Sequence, residues 1–259
     1  MAPEQEPSAE PDAEADRNVA RERGVLPAAP AQSLLPSFVS PRGLTLCVAA
    51  GLICSAVVAY LVVGVHLARL RQLQVQLSGA VVDSQQLYAV STTLRIAQGL
   101  QAVVFGLTAL FFLAWLYRLR VNARALGVRK LVYGRSWSVL GFFVPVLNFV
   151  RPFQVMAEVW SASEPSALDP FEWKSVEPPR ILALWWGSFV IAATLELAAF
   201  GLGRTAGVVT FKSLVASGVA VLADAATGLS ASLAFFVVTR LAAAQSAKYQ
   251  RLLAASGRS

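Results

Sequence analysis

The sequence contains four long apolar runs. They cover residues 44–65, 96–117, 181–202 and 215–239, and only the last two contain a charged residue, one acid each. Each run is long enough to cross about 30 Å of hydrocarbon as a helix. Only 14% of the chain is charged, against roughly 25% in a soluble domain. We therefore predict an all-α integral membrane protein with four transmembrane helices.

The rest of the chain divides into two tails and a middle segment. Residues 1–40 are rich in Ala, Pro and Glu without an apolar period, which predicts a disordered cytoplasmic tail. The membrane domain then covers 41–242, and a basic cytoplasmic tail covers 243–259. Between the second and third runs, residues 136–163 start with an uncharged stretch too short for a span. That length predicts a re-entrant or interfacial helical segment.

Charge asymmetry orients the four predicted spans. They would put 17 of the 22 Lys and Arg residues on the side that carries both termini. Cytoplasmic loops are enriched in these residues, so we predict a multi-pass plasma-membrane protein with both termini cytoplasmic. All six tryptophans fall between the end of the second run and the start of the third. We expect them at the cytoplasmic interface, where indoles settle.

A short amphipathic helix is predicted within the middle segment. Pro152 suits a first helical position, and Val155, Met156, Val159 and Trp160 then share one face. We expect this helix to lie in the membrane interface.

The middle stretch carries a recognisable pattern of Trp, Arg, Gly, Pro and Asn residues: Trp115, Arg118, Asn122, Ala123, Leu126, Gly127, Trp137, Gly141, Phe143, Pro145, Asn148, Pro152, Glu158, Trp160, Ala162 and Ser163. With this pattern the chain resembles the actinobacterial membrane proteins grouped as domain of unknown function 4328. Arg135-Ser136 stands where that family often has Ser-Pro-Gly. The resemblance covers roughly residues 45–245, including the pair Trp185-Trp186, and implies a multi-pass membrane protein with no catalytic residues to transfer.

The first candidate site is a cytoplasmic face rich in Arg and Trp. Its cations could act only as topology determinants that reach the headgroups, or they could bind an anionic lipid or a protein partner. Non-helical backbone around Pro145 and Asn148 could be structural or could line a pocket. The lipid- or partner-binding candidates are Arg118, Arg120, Asn122, Arg124, Arg129, Lys130, Arg135, Trp137, Pro145, Asn148, Glu158 and Trp160.

The second candidate site is a group of polar residues inside the predicted spans: Gln98, Gln101, Glu196 and Asp224. Helix rise places Glu196 and Asp224 at similar depth, about 9 Å and 14 Å from the outer ends of their runs. Asp224 also belongs to a stripe of small residues, so we expect it to face the bundle. The pair could be buried polar glue, or it could serve a small carrier or a proton-coupled site.

Several classes of function find no support in the residue pattern. The chain has one His and two Cys, and no set with the spacing of a metal site. It also contains no nucleophile–base pair, no phosphate-binding glycine loop and no basic patch on a soluble module. We predict no enzyme activity, no cofactor, no metal and no nucleic-acid partner. The expected partners are membrane lipids, with a protein partner or a second copy of the chain as further candidates.

Overall fold

A computed structural model describes residues 37–134, 140–142, 144, 147–205 and 211–257. Within these ranges the chain forms five α-helices and two short 3-10 helices, and they contain no strand. The predicted disordered tail, residues 1–40, lies almost entirely outside the described residues. Arg135, Trp137 and Pro145 of the middle segment also lie outside them.

Four of the five helices match the predicted transmembrane pattern. α1, α2, α4 and α5 are long and apolar enough to cross a membrane, which confirms the all-α fold with four candidate spans. α3 is a short helix between α2 and α4, and the 3-10 helices are Leu147–Phe149 and Glu172–Ser175. The helix bounds are α1 Arg42–Leu77, α2 Ser84–Ala125, α3 Arg151–Ala162, α4 Arg180–Thr205 and α5 Phe211–Ala255.

The long helices extend well beyond the apolar runs that predict them. α1 continues for three turns after Val65, and α5 continues from Thr239 to Ala255. With 45 residues and a rise of 1.5 Å per residue, α5 is about 68 Å long. That is more than twice the hydrocarbon thickness, so a part of α5 must lie outside any membrane that it crosses.

A tight turn joins α1 to α2. Gly79 adopts a left-handed backbone conformation, with φ of 79°, which glycine tolerates because it has no Cβ. The Asp83 side chain then accepts a hydrogen bond from the Gln85 backbone N–H (3.0 Å) and caps α2. The sequence predicts a turn near Ser78-Gly79, but it extends the loop that follows to residue 95, whereas α2 already begins at Ser84.

Helix α5 packs against both α1 and α4, and α1 packs against α2. Glycines allow the closest approaches. A Cβ on Gly228 of α5 would lie 2.7 Å from carbons of the Tyr60 ring on α1, and a Cβ on Gly51 of α1 would lie 2.5 Å from Thr108 Oγ1 on α2. The small-residue stripe on α5 therefore lies at a helix contact.

The bundle has two ends, which we name by what lies there. The terminal end is where Asn122 of α2 hydrogen-bonds both Val39, before α1, and Gln245, late in α5. The hairpin end carries the α1–α2 turn, residues 78–83.

Most of the large buried side chains form one core in the terminal half of the bundle. Trp115 and Leu119 of α2 meet Leu182 and Trp185 of α4 there. The apolar face of α3 also joins this core, because Val155, Met156 and Val159 are almost fully buried. The sequence assigns this face of α3 to the membrane interface. In the structure the bundle covers it instead.

Candidate functional site

A buried ion pair links α2 to α3 at the terminal end. Arg120 Nη2 lies 3.1 Å from Glu158 Oε2, and both side chains are buried. The Glu158 carboxylate also accepts hydrogen bonds from the backbone N–H groups of Val132 and Tyr133. These bonds hold the connector after α2 against α3. Arg120 and Glu158 therefore neutralise each other inside the protein rather than facing a ligand.

A second buried polar network ties the two described chain ends together. The Asn122 Nδ2 group donates to the Val39 carbonyl (2.8 Å) and to Gln245 Oε1 (3.0 Å). Gln245 Nε2 in turn donates to the Leu119 carbonyl (3.1 Å). Nearby, the buried Lys248 ammonium donates to the Ala162 carbonyl (2.9 Å). Sequence reasoning missed Gln245 and Lys248, because they follow the fourth apolar run in a stretch that it reads as a tail.

The remaining lipid-binding candidates divide by exposure. Arg118, Asn148 and Trp160 are half-buried, whereas Arg124, Arg129 and Lys130 are exposed. The structure thus separates the predicted set into an internal scaffold, which includes Asn122, and a group of cations that faces outward. We call Arg124, Arg129 and Lys130 the basic connector.

Hydrogen bonds fix the position of the basic connector. The Arg129 backbone N–H donates to the Pro170 carbonyl (3.1 Å), and Trp173 Nε1 donates to the Arg129 carbonyl (3.1 Å). Lys130 adopts a left-handed conformation with φ of 55°, and its ammonium lies 5.6 Å from the centre of the Phe171 ring. Cation–π contact of this kind is favourable. The cations are therefore held on a constrained backbone.

Most of the tryptophans that sequence reasoning places among lipid headgroups are buried in the protein. Trp115, Trp173, Trp185 and Trp186 expose less than a tenth of their surface. Trp115 Nε1 donates to Thr45 Oγ1 (3.1 Å), and Trp186 Nε1 donates to the Phe149 carbonyl (2.8 Å). Internal hydrogen bonds thus satisfy the indoles of Trp115, Trp173 and Trp186, which removes the reason for them to lie at the membrane interface.

The polar residues predicted inside the spans differ in burial and in their contacts. Asp224 of α5 is 3% exposed and accepts a hydrogen bond from Gln101 Nε2 of α2 (3.0 Å). Gln98 and Glu196 are exposed. The charge of Asp224 still acts on the Glu196 carboxylate. Within the described part of the chain, however, Glu196 forms no hydrogen bond to Asp224. Asp224 and Gln101 are therefore brought together, and Gln98 is not.

His66 of α1 is the partner of Asp224 that sequence reasoning missed. Its Nδ1 atom lies 2.7 Å from Asp224 Oδ2, and the residue is 5% exposed. His66 directly follows the first apolar run, and the sequence reading places it where that run ends. The sequence predicts a helical extension from His66, which α1 confirms, but it does not show which side chain of another helix faces the imidazole. Among the described residues, no three His, Cys, Asp or Glu side chains could ligate one metal ion.

Comparison with known proteins identifies the family. A family model described as a domain of unknown function, DUF4328, matches residues 78–243, which is more than half of the chain. The chain belongs to this family. A search of curated proteins and a search of solved structures each gave no match.

The DUF4328 match confirms the resemblance seen in the sequence but covers a shorter range. It begins at Ser78, at the end of α1, whereas the resemblance is expected from about residue 45. His66 thus lies before the matched region, and Gln101 and Asp224 lie inside it. The basic connector and α3 also lie inside it.

Proposed function

We propose that this DUF4328 protein is a non-catalytic membrane module that binds anionic lipid through the basic connector at its terminal end. We further propose that it resides in the plasma membrane with both termini in the cytoplasm. The distribution of Lys and Arg supports this orientation, since 17 of the 22 fall on the side of the termini. The inner leaflet is negatively charged, so the basic connector would face anionic headgroups.

One observation carries the proposal: exposed cations and exposed apolar side chains lie next to each other on the segment after α2 and on the loop packed against it. Arg129 and Lys130 are exposed, and Val132, two residues later, exposes 74% of its surface. Phe171, which lies under the Lys130 ammonium, is also exposed. A surface that presents both kinds of group fits the boundary between headgroups and acyl chains.

The ion pairs inside the protein also support anionic-lipid binding by the basic connector. Arg120 is the cation of this region that has an ion-pair partner, Glu158. Among the described residues, no carboxylate forms an ion pair with Arg124, Arg129 or Lys130. Their charge is therefore available to an external anion. Each such cation contributes about 1 kcal/mol near an anionic membrane surface.

Native mass spectrometry of the purified protein tests the proposal. The triple variant Arg124→Gln, Arg129→Gln, Lys130→Gln removes three exposed cations and leaves the Arg120–Glu158 pair intact. We expect its affinity for phosphatidylglycerol to fall by about 100-fold, which corresponds to about 3 kcal/mol. Retention of phosphatidylcholine should not change, because that lipid carries no net charge.

A matched control removes three exposed cations from the hairpin half of the molecule: Arg71, Arg95 and Arg204. This control has the same net charge as the test variant, so a general charge effect would weaken lipid binding equally in both. We expect the control to retain phosphatidylglycerol as the wild type does. Equal loss in both variants, or no loss in the test variant, would contradict the proposal.

A further inference from the structure

Three polar side chains from three different helices meet inside the hairpin half of the bundle. Asp224 of α5 accepts from Gln101 of α2 at Oδ1 (3.0 Å) and contacts His66 Nδ1 of α1 at Oδ2 (2.7 Å). Both members of the His–Asp pair are at least nine-tenths buried. Ionisable groups are rare inside membrane helices, and those that occur are commonly functional.

We propose that His66 and Asp224 form a binding site for a single proton, which the imidazole takes up at Nε2. This inference goes beyond the lipid-binding function and does not rest on it. The chemistry of the contact determines the atom. While Asp224 is ionised, its oxygen 2.7 Å from Nδ1 can only accept a hydrogen bond, so the neutral imidazole carries its hydrogen on Nδ1 and leaves Nε2 free to bind a proton. A proton that binds Nε2 produces an imidazolium whose charge the Asp224 carboxylate balances.

Gln101 fixes the orientation of the Asp224 carboxylate. Its Nε2 group donates to Asp224 Oδ1, and the imidazole contacts Oδ2. The Gln101 Oε1 atom is buried without a hydrogen-bond partner among the described residues. The carboxylate is therefore engaged on both oxygens, and the proton that the site takes up binds the imidazole at Nε2.

The charged surroundings of the pair come from all four long helices. From α4, the Glu196 carboxylate acts electrostatically on both Asp224 and His66. On α1, Arg69 follows His66 by three residues, and on α2, Arg95 precedes Gln101 by six. On α5, Lys212 precedes Asp224 by twelve residues, or about 18 Å.

The site lies closer to one end of the bundle than to the other. Along α2, Gln101 is about 9 Å from Arg95 towards the hairpin end and about 26 Å from Arg118 towards the terminal end. The pair therefore lies nearer the hairpin side than the terminal side. Uptake there would neutralise a buried negative charge at the point where α1, α2 and α5 meet.

The test uses the fact that His66 is the single histidine of the chain. The wild-type protein is labelled with ¹⁵N-histidine, placed in lipid nanodiscs and titrated by NMR between about pH 4 and about pH 10. We expect one imidazole that carries hydrogen on Nδ1 alone at high pH and on both nitrogens at low pH. An imidazole that stays in one protonation state throughout, or that carries its hydrogen on Nε2, would overturn the proposal.

Two variants identify the role of the carboxylate. Asp224→Asn removes the balancing charge, and we expect the proton affinity of the imidazole to fall at least tenfold, which is about one pH unit. Asp83→Asn makes the same chemical change about 27 Å away along α2 and should leave the titration unchanged. Equal titration of Asp224→Asn and wild type would overturn the proposal. If Asp224→Asn does not fold, the wild-type titration decides alone.

Discussion

The Arg120 guanidinium and the Glu158 carboxylate form a buried ion pair at 3.1 Å that joins α2 to α3. These two residues are far apart in sequence, yet the charge of each compensates the charge of the other. The pair also organises the connector, since Glu158 accepts from the Val132 and Tyr133 backbone. The exposed cations of the basic connector therefore rest on an internal electrostatic scaffold.

We predict that Glu158→Gln destabilises the protein strongly. The substitution leaves the Arg120 charge buried without its partner, and breaking a buried pair in this way costs about 3–5 kcal/mol. The melting temperature in one detergent should fall by several degrees. Glu177→Gln is the matched control, because Glu177 is exposed. Equal melting temperatures for the two variants would contradict the scaffold role.

We predict that Gln245→Leu loosens the terminal end. The variant loses the hydrogen bonds from Gln245 to Leu119 and Ser163, and Asn122 Nδ2 loses Gln245 Oε1 as an acceptor. Buried polar groups left unpaired cost about 1–3 kcal/mol each. Hydrogen exchange at the start of α1 and the end of α5 should rise, with Gln250→Leu, at an exposed position, as the control. Unchanged protection at both ends would show that this network does not hold them.

We predict opposite effects for two glycine-to-alanine changes on α5. Gly228→Ala places a Cβ against the Tyr60 ring and should destabilise by about 1–3 kcal/mol. Gly218→Ala meets no atom within 4 Å and should stabilise slightly, because alanine favours the helix by up to about 1 kcal/mol. Thermal melting of both variants checks this. A loss of stability at Gly218 as large as that at Gly228 would argue against a close α1–α5 contact.

We predict that single cysteines at positions 81 and 132 label from opposite sides of the membrane. Val81 lies in the hairpin-end turn and Val132 in the connector, and both are highly exposed. In a background without Cys47 and Cys54, an impermeant thiol reagent should label position 81 in intact cells and position 132 only after permeabilisation. The reverse pattern would place the termini outside, and labelling of both in intact cells would contradict a four-span topology.

The fold was largely predictable because its signal is local. Four apolar runs with few charges are sufficient to predict four helices, since backbone groups inside a membrane must bond within the helix. Helical continuations beyond Val65 and Thr239 were also expected, but their lengths were not predictable. Polar residues at positions 66–77 and 240–255 continue α1 and α5, where the apolar pattern no longer marks the end of a helix.

The sites were less predictable because their partners are distant in sequence. A run of arginines at the end of α2 gives no local sign that Glu158, on another helix, neutralises Arg120. Likewise, depth counting groups Asp224 with Glu196, but helix rotation decides which residues face each other. Rotation directs Asp224 to His66 and leaves Glu196 exposed.

Lipid crosslinking from the segment after α2 distinguishes anionic-lipid binding from a purely topological role of its cations. A photoreactive amino acid replaces Val132, beside the basic connector, or Val81, in the α1–α2 turn, and the protein is placed in nanodiscs with equal phosphatidylglycerol and phosphatidylcholine. The account predicts that position 132 captures mainly phosphatidylglycerol and that the Arg124, Arg129 and Lys130 triple glutamine variant loses this preference. Equal capture of both lipids at position 132 would contradict anionic-lipid binding at this surface.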